Sequence, residues 1–202
     1  MLHGLWMNRL VMHPLQAALE DAGYRTLALA YRSMRGTLDE HCARVAEGVA
    51  RVEAQRVHLL GHSMGGVIAL NFLMRRPELS RIGRTLLLGS PVASCDSARD
   101  FARHAVGRLF MGNSVALWED MPPPHIPAGR EVGGIAGDVP LGLGPLFVQL
   151  DGPNDGVARV EETRLEGMAD HIVLPVSHTG MLFSAAVAEQ CTAFLRDGRF
   201  AR

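Results

Sequence analysis

The feature that most constrains the fold of this chain is a serine between glycines at residues 61–66, which read Gly-His-Ser-Met-Gly-Gly. The apolar run Val57–Leu60 before it predicts a strand, and the stretch Val67–Leu73 after it predicts a helix. Side chains two positions on either side of Ser63 would collide in so sharp a turn, and glycine removes their β-carbons. The pattern is typical of a nucleophile elbow, in which the serine hydroxyl stands exposed at the tip of the turn.

Length and composition limit the number of domains and the kinds of partner that this chain can have. With 202 residues, of which 48% are hydrophobic, the chain is expected to form a single domain over residues 1–202 with a large core. A net charge of −1 gives no reason to expect a nucleic acid partner, and no stretch is long enough to span a bilayer, so stable membrane insertion is not expected. The three cysteines are far apart, and no pair of the nine histidines has the spacing and acidic neighbour of a metal site, so we expect no disulfide framework and no metal.

Hydrophobic periodicity and turn signals divide the chain into alternating helices and strands. Predicted helices cover about residues 14–22, 37–53, 67–76 and 181–195, and predicted strands cover 24–31, 57–60, 84–89, 131–137 and 172–176. This alternation predicts an α/β fold, with a mostly parallel central sheet and helices on both faces. Functional sites in such sheets lie at the carboxyl ends of the strands.

The alternation of helices and strands is lost over about residues 92–129. This segment contains large apolar residues, among them a tryptophan and methionines, and the run Pro122-Pro123-Pro124. We interpret this insertion as a short helical cap over a site, because exposed tryptophan and methionine need an apolar partner. An irregular surface excursion is the alternative.

A serine hydroxyl is a weak nucleophile until a base takes its proton, and the base needs a carboxylate to hold its tautomer. In folds with this elbow the chain order is serine, acid, histidine. His178 is the predicted base, since it follows the last predicted strand in a loop that would overhang the sheet edge. The other later histidines lie in the predicted cap (His104 and His125) or at the wrong end of a strand (His171).

The acid has three candidates. Asp138 directly follows a predicted strand, whereas Asp151 and Asp155 lie in a later loop. Asp155 has the better local chemistry, because its neighbours Asn154 and Gly156 suit a tight turn that could direct a carboxylate inward. The residues alone leave all three open.

An oxyanion formed during acyl transfer needs two backbone N–H groups. One is expected from Met64, the residue after the serine, whose N–H also begins a helix. The second is expected from Leu5, in the sequence His3-Gly4-Leu5, with Trp6 as its neighbour.

Together these residues resemble the α/β-hydrolase superfamily, and more closely its minimal bacterial lipases and lipase-like esterases. The resemblance runs from residue 2 to about 196 and is carried by residues 3–5, 61–66, 154–157 and 177–182. In those lipases the acid lies in an aspartate-containing turn upstream of the histidine, which favours Asp155. The resemblance implies hydrolysis of a small-molecule ester through an acyl-enzyme, without metal or organic cofactor. The apolar residues of the predicted cap indicate that the acyl or alcohol group is hydrophobic. The alternatives are a thioesterase or acyltransferase with the same three residues, or a non-catalytic binding protein.

Two departures from the family pattern follow. Family members carry a longer apolar strand before the His-Gly pair, of which only Met1 and Leu2 remain here. We therefore expect a truncated or mis-started chain; a cytoplasmic location is the expectation from the lack of a visible signal peptide. The cap and the loop from Asp138 to Leu150 are absent from the most compact lipases.

Overall fold

The fold is built on a parallel sheet of four strands in the part of the chain that the computed structural model describes, residues 1–93, 123–141 and 150–202. The strands are β1 (Val57–His62), β2 (Ile82–Leu88), β3 (Val132–Gly137) and β4 (Asp170–Leu174). They lie side by side in chain order, and each pairs in parallel with the next. All four carboxyl ends therefore lie at one edge of the sheet.

Within the described ranges four α-helices cover the sheet: α1 (His13–Asp21), α2 (Leu38–Arg51), α3 (Met64–Arg75) and α4 (Ala185–Asp197). Side chains of α2 and α3 belong to one buried cluster, and those of α1 and α4 belong to another. Successive strand residues alternate between the two, since Leu59 packs in the first and Leu60 in the second. Helices thus lie on both faces of a parallel sheet, which confirms the predicted fold class.

The start of α2 follows from local side-chain chemistry. The Thr37 hydroxyl accepts a hydrogen bond from the Glu40 amide at 3.2 Å, and the Glu40 carboxylate accepts one from the Thr37 amide at 2.8 Å. This reciprocal pair is the capping box that the sequence predicts.

Several predicted element boundaries differ from those in the structure, and two of these differences have a clear local cause. Strand β4 ends at Leu174, because Pro175 has no N–H to donate to a neighbouring strand. The last helix begins at Ala185 and not at Met181: residues Gly180–Leu182 form a short 3-10 turn, and the hydroxyl of Ser184 caps the helix by accepting from Val187 N at 3.4 Å.

The strand predicted at residues 24–31 is also wrong, since the structure assigns no strand there. The first residues of the chain lie between this extended segment and β1. Leu2 bridges to β1 through hydrogen bonds with Leu60 O (2.8 Å) and His62 N (3.0 Å). On its other side Met1 O accepts from Leu29 N at 3.0 Å, and Met1 N donates to Leu27 O at 2.7 Å. These contacts give residues 24–31 too few backbone hydrogen bonds to form a β-ladder.

The cap predicted at 92–129 lies mostly outside the described residues, as does most of the 138–150 loop.

Candidate active site

Ser63 occupies the turn that joins β1 to α3, and its backbone is in an unusual conformation. Its φ of 55° and ψ of −127° lie in a region that residues with a β-carbon rarely adopt. In the described residues only one other non-glycine residue has a positive φ, and that is Trp6 at 60°. Residues held in such strained conformations by the surrounding structure cluster at functional sites.

The neighbouring glycines make the turn possible. A β-carbon on Gly61 would overlap the backbone of Gly65 and Gly66, and one on Gly65 would overlap the carbonyls of Leu2 and His3. A β-carbon on Gly66 would overlap the Ser90 side chain. The elbow is therefore packed against two neighbouring segments at backbone distance, which only glycine permits.

The sheet also holds the elbow in place. Ser63 N donates to Leu88 O, the last residue of β2, at 2.8 Å, and Ser63 O accepts from Gly66 N at 2.9 Å. Met64 is the first residue of α3, so its N–H has no carbonyl one turn earlier to bond. This amide is the one that the sequence predicts for an oxyanion.

Asp155 and His178, the acid favoured by the resemblance and the predicted base, are brought together by the structure. Asp155 Oδ2 lies 2.7 Å from His178 Nδ1, and both side chains are buried. A second bond joins their backbones, from His178 N to Asp155 O at 2.8 Å. Because a carboxylate only accepts, Nδ1 carries the proton of the neutral imidazole and Nε2 keeps its lone pair.

The turn around Asp155 fixes its carboxylate. The Oδ1 atom accepts hydrogen bonds from Val157 N at 2.9 Å and Ala158 N at 2.8 Å, which leaves Oδ2 for His178. Gly156 has a φ of 97°, which allows this tight turn. Burial by itself raises the pKa of Asp155. The His178 ring and these two amides together lower the pKa by a larger amount, so the net pKa lies below the ordinary value. The carboxylate is charged at neutral pH.

The structure places the rival residues elsewhere. Asp138 and Asp151 are exposed, and no hydrogen bond joins either carboxylate to a histidine among the described residues. His171 is the second residue of β4, at the amino end of the strand, and bonds Thr163 Oγ1 at 2.9 Å. His125 is exposed near the Pro123 carbonyl, and His104 lies outside the described residues.

The His3–Leu5 segment follows the residue that bridges to β1. His3 Nδ1 donates to Gly4 O at 2.9 Å, and the Tyr31 hydroxyl donates to His3 O. The rings of His3 and Tyr31 stack with centroids 4.1 Å apart. A β-carbon on Gly4 would lie 3.2 Å from the Ser63 β-carbon, so this loop passes directly beside the serine. Leu5, the second amide predicted for the oxyanion, is half-buried in the same turn.

The paired side chains lie near the elbow at the carboxyl edge of the sheet. A β-carbon on Gly89, just after β2, would lie 2.9 Å from Asp155 Oδ2 and 3.1 Å from His178 Nδ1. His62, the residue before Ser63, contacts the His178 carbonyl through Nε2 at 2.9 Å. No hydrogen bond joins the Ser63 hydroxyl to the His178 ring in the described residues, as is common in unliganded sites.

Sequence reasoning missed two residues of this site, His62 and Gly89. A histidine at the end of a buried strand needs a polar partner, and that need was the available signal for His62. Gly89 follows β2 and precedes Ser90-Pro91, and in the sequence this position indicated only a turn. In the structure its φ is 54°.

Other kinds of site have less support in the described ranges. No group of three or more histidine, cysteine or acidic side chains there could hold a metal ion. None of the helices described is both long and apolar enough to cross a membrane. An open groove of about 510 Å³ runs along residues 25–30 and α2, and none of the candidate residues lines it.

Comparison with known proteins agrees with this architecture. The model of the alpha/beta hydrolase family matches residues 1–190. The mature form of the lipase BlEst2 from Bacillus licheniformis is similar in structure, with a TM-score of 0.74 and 14% identity over 96% of this chain and 89% of that one. A pyrethroid hydrolase from Sphingobium faniae has a TM-score of 0.69 at 16% identity, covering 97% and 96% of the two chains. A lipase-esterase related protein from Clostridium acetobutylicum has a TM-score of 0.61 at 15% identity, covering 97% and 91%.

Proposed function

Because the chain belongs to the alpha/beta hydrolase family, we propose that it is a serine hydrolase that cleaves carboxylic esters through an acyl-enzyme. The single observation that carries this proposal is the buried Asp155–His178 pair, whose Oδ2–Nδ1 distance is 2.7 Å, at the sheet edge where Ser63 forms a strained elbow. These are the parts that activation of a serine requires.

In the proposed reaction, Ser63 Oγ attacks the acyl carbon while His178 Nε2 takes the hydroxyl proton. Asp155 holds the ring in the tautomer that leaves Nε2 free, and its charge stabilises the imidazolium that forms. The carbonyl oxygen becomes an oxyanion, which the N–H groups of Met64 and Leu5 stabilise. Collapse of the intermediate expels the alcohol, which takes the proton from His178.

Water then completes the cycle. His178 removes a proton from a water molecule, which attacks the acyl carbon bound to Ser63. The second tetrahedral intermediate breaks the bond to Ser63 Oγ, the proton returns to that oxygen, and the carboxylic acid leaves. No metal and no organic cofactor enters the proposed cycle.

A hydrophobic ester is the proposed substrate class. Three large apolar side chains are exposed on loops around the carboxyl edge of the sheet: Trp6 beside the elbow, Leu141 after β3 and Phe183 after the His178 loop. Apolar surface of this kind near a site favours an apolar acyl or alcohol group. The solved structures named above include a lipase and a pyrethroid hydrolase, which is consistent with this class.

Hydrolysis of p-nitrophenyl butyrate by the wild type and by Ser63→Ala tests the proposal. We expect turnover by the wild type and a loss of at least about 10³-fold in the variant, with an unchanged circular dichroism spectrum. Wild-type turnover in the folded variant would remove Ser63 as the nucleophile. Hydrolysis of an acyl-CoA but of no oxygen ester would replace the ester substrate with a thioester.

A further inference from the structure

His62 is the last residue of β1 and the residue before Ser63, and its side chain is completely buried. Its Nε2 atom lies 2.9 Å from the backbone carbonyl of His178. The two imidazole rings are close, with centroids 4.7 Å apart and planes inclined by 49°. A buried polar ring therefore spans the space between the strand that carries the serine and the loop that carries the base.

The protonation state of His62 follows from this contact. A carbonyl oxygen only accepts, so Nε2 must carry a proton and donate it. Nδ1 is buried without a hydrogen-bond partner among the described residues, and a β-carbon on Gly4 would lie 3.1 Å from it. Burial lowers the pKa of His62 to about 3, and the nearby His178 lowers it as well, so the ring is neutral at physiological pH.

His178 is thus held at three positions. Asp155 holds two of them, through the His178 amide and the ring Nδ1. His62 holds the third, the His178 carbonyl. Asp155 belongs to a loop after β3 that is far from the elbow in sequence. His62, in contrast, is joined directly to Ser63 by a peptide bond.

We propose that His62 is a positioning residue, which sets the separation between the Ser63 hydroxyl and the His178 ring by holding the His178 carbonyl. This inference rests on the proposed function, since it concerns the geometry of that same site. The effect belongs to the chemical step, because proton transfer from Ser63 to His178 depends steeply on their separation. Substrate affinity does not depend on it, since the buried ring is covered on all sides.

A matched pair of substitutions separates the hydrogen bond from the packing. His62→Gln keeps a side-chain N–H that can donate to the His178 carbonyl, whereas His62→Met has a similar length and no donor. His58→Met is the control: His58 is also on β1 and loses its bond with Arg84 N (3.0 Å), away from the proposed site. Each rate is divided by the number of sites that an exhaustive fluorophosphonate reaction labels, which removes the effect of unfolded protein.

We expect kcat for p-nitrophenyl butyrate to fall about 10–100-fold in His62→Met with KM unchanged. In His62→Gln we expect kcat within about threefold of the wild type. The His58→Met variant should keep the wild-type kcat per labelled site. An inactive wild type would contradict the proposed function itself, so the two failures are distinguishable.

Two results with an active wild type would overturn the inference. One is a wild-type kcat in His62→Met, and the other is an equal loss in the Met and Gln variants, since the donor would then not matter. The ¹⁵N NMR spectrum of the wild type provides a measurement that does not depend on any variant. It should show the Nε2–H tautomer of His62, and an Nδ1–H tautomer would exclude the proposed bond.

Discussion

At the scale of single residues, the site depends on a division of work between the two oxygens of one carboxylate. Asp155 Oδ1 is occupied by two backbone amides of its own turn, which orients Oδ2 toward His178 Nδ1 at 2.7 Å. Each buried acceptor thereby has a partner, as burial of a charge requires. The turn therefore determines which nitrogen of His178 is left for the role of the proposed base.

The identity of the acid gives a prediction at this scale. Asp155→Asn should lower kcat by about 10³–10⁴-fold, because an amide can donate to Nδ1 and so favour the tautomer whose Nε2 carries the proton. Asp138→Asn and Asp151→Asn are matched controls, since both residues are exposed, and their kcat should stay within about twofold of the wild type. Steady-state kinetics on p-nitrophenyl butyrate decides the matter. A large loss in Asp138→Asn with little loss in Asp155→Asn would reverse the assignment.

At the scale of elements, the site is assembled from the carboxyl ends of neighbouring strands. Ser63 follows β1, Gly89 follows β2 and His178 lies in the loop after β4. A β-carbon on Gly137, the last residue of β3, would lie 3.0 Å from the Asp155 β-carbon, so Asp155 lies over the end of that strand. Parallel pairing brings these four ends to one edge, and residues far apart in sequence meet there.

The turn after β2 provides a prediction that belongs to this scale. Gly89→Ala should slow kcat about 10–100-fold, because its β-carbon would push against Asp155 Oδ2 and His178 Nδ1. Its φ of 54° adds a backbone cost of about 1–2 kcal/mol to the free energy of folding. Gly23→Ala is the control, since Gly23 has a φ of 90° and nothing within 4 Å of the added carbon. Urea unfolding should show that both variants are destabilised, and steady-state kinetics should show a lower kcat only in Gly89→Ala. Equal kcat values in the two variants would contradict this prediction.

Much of the element order could be predicted from the sequence, because its signals are local. Pro77 and Gly23 mark helix ends, Thr37 and Glu40 mark a helix start, and the glycines around Ser63 mark the elbow. The strand predicted at 24–31 failed because a strand also needs a neighbour, and residues 1–3 supply only a few bonds. Pairing partners are not visible in a single segment.

The residues of the candidate site could be predicted from the sequence only in part. The elbow and the loop after the last strand indicated Ser63 and His178 directly, whereas the residues alone left Asp138, Asp151 and Asp155 open. Burial and the turn at residues 155–158 distinguish Asp155, and both depend on how a distant loop folds back over β3. The contact of His62 with His178 joins residues 116 positions apart, which no local pattern encodes.

At the scale of the whole molecule, burial of neutral histidines makes the fold sensitive to acid. Burial lowers the pKa of a set of histidines spread over several elements: His3, His41, His58, His62 and His171. Below the ordinary histidine pKa of 6.5 the unfolded chain binds protons that these folded rings do not. The free energy of unfolding therefore falls as the pH falls from 6.5 toward 3.

His62 makes this prediction quantitative. With a folded pKa of about 3 against 6.5 in the unfolded chain, it should lower the free energy of unfolding by about 2 kcal/mol at pH 5. The lowered pKa of Asp155 acts only near and below its ordinary value of 3.8, outside this range. Urea unfolding at pH 7.5 and pH 5 measures the loss. His62→Gln should show a loss smaller by about 2 kcal/mol, and identical losses in the two proteins would contradict the assignment of a buried neutral ring.

The central claim is that Ser63 is an activated nucleophile, and reaction with a fluorophosphonate tests it most directly. Intact mass should show one adduct per chain, and peptide mapping should place it on Ser63. The Asp155→Asn and Ser63→Ala variants should label far more slowly and not at all, respectively. An adduct on another residue, or a folded wild-type protein that takes up no label, would contradict the account, because the elbow would then lack a base within reach.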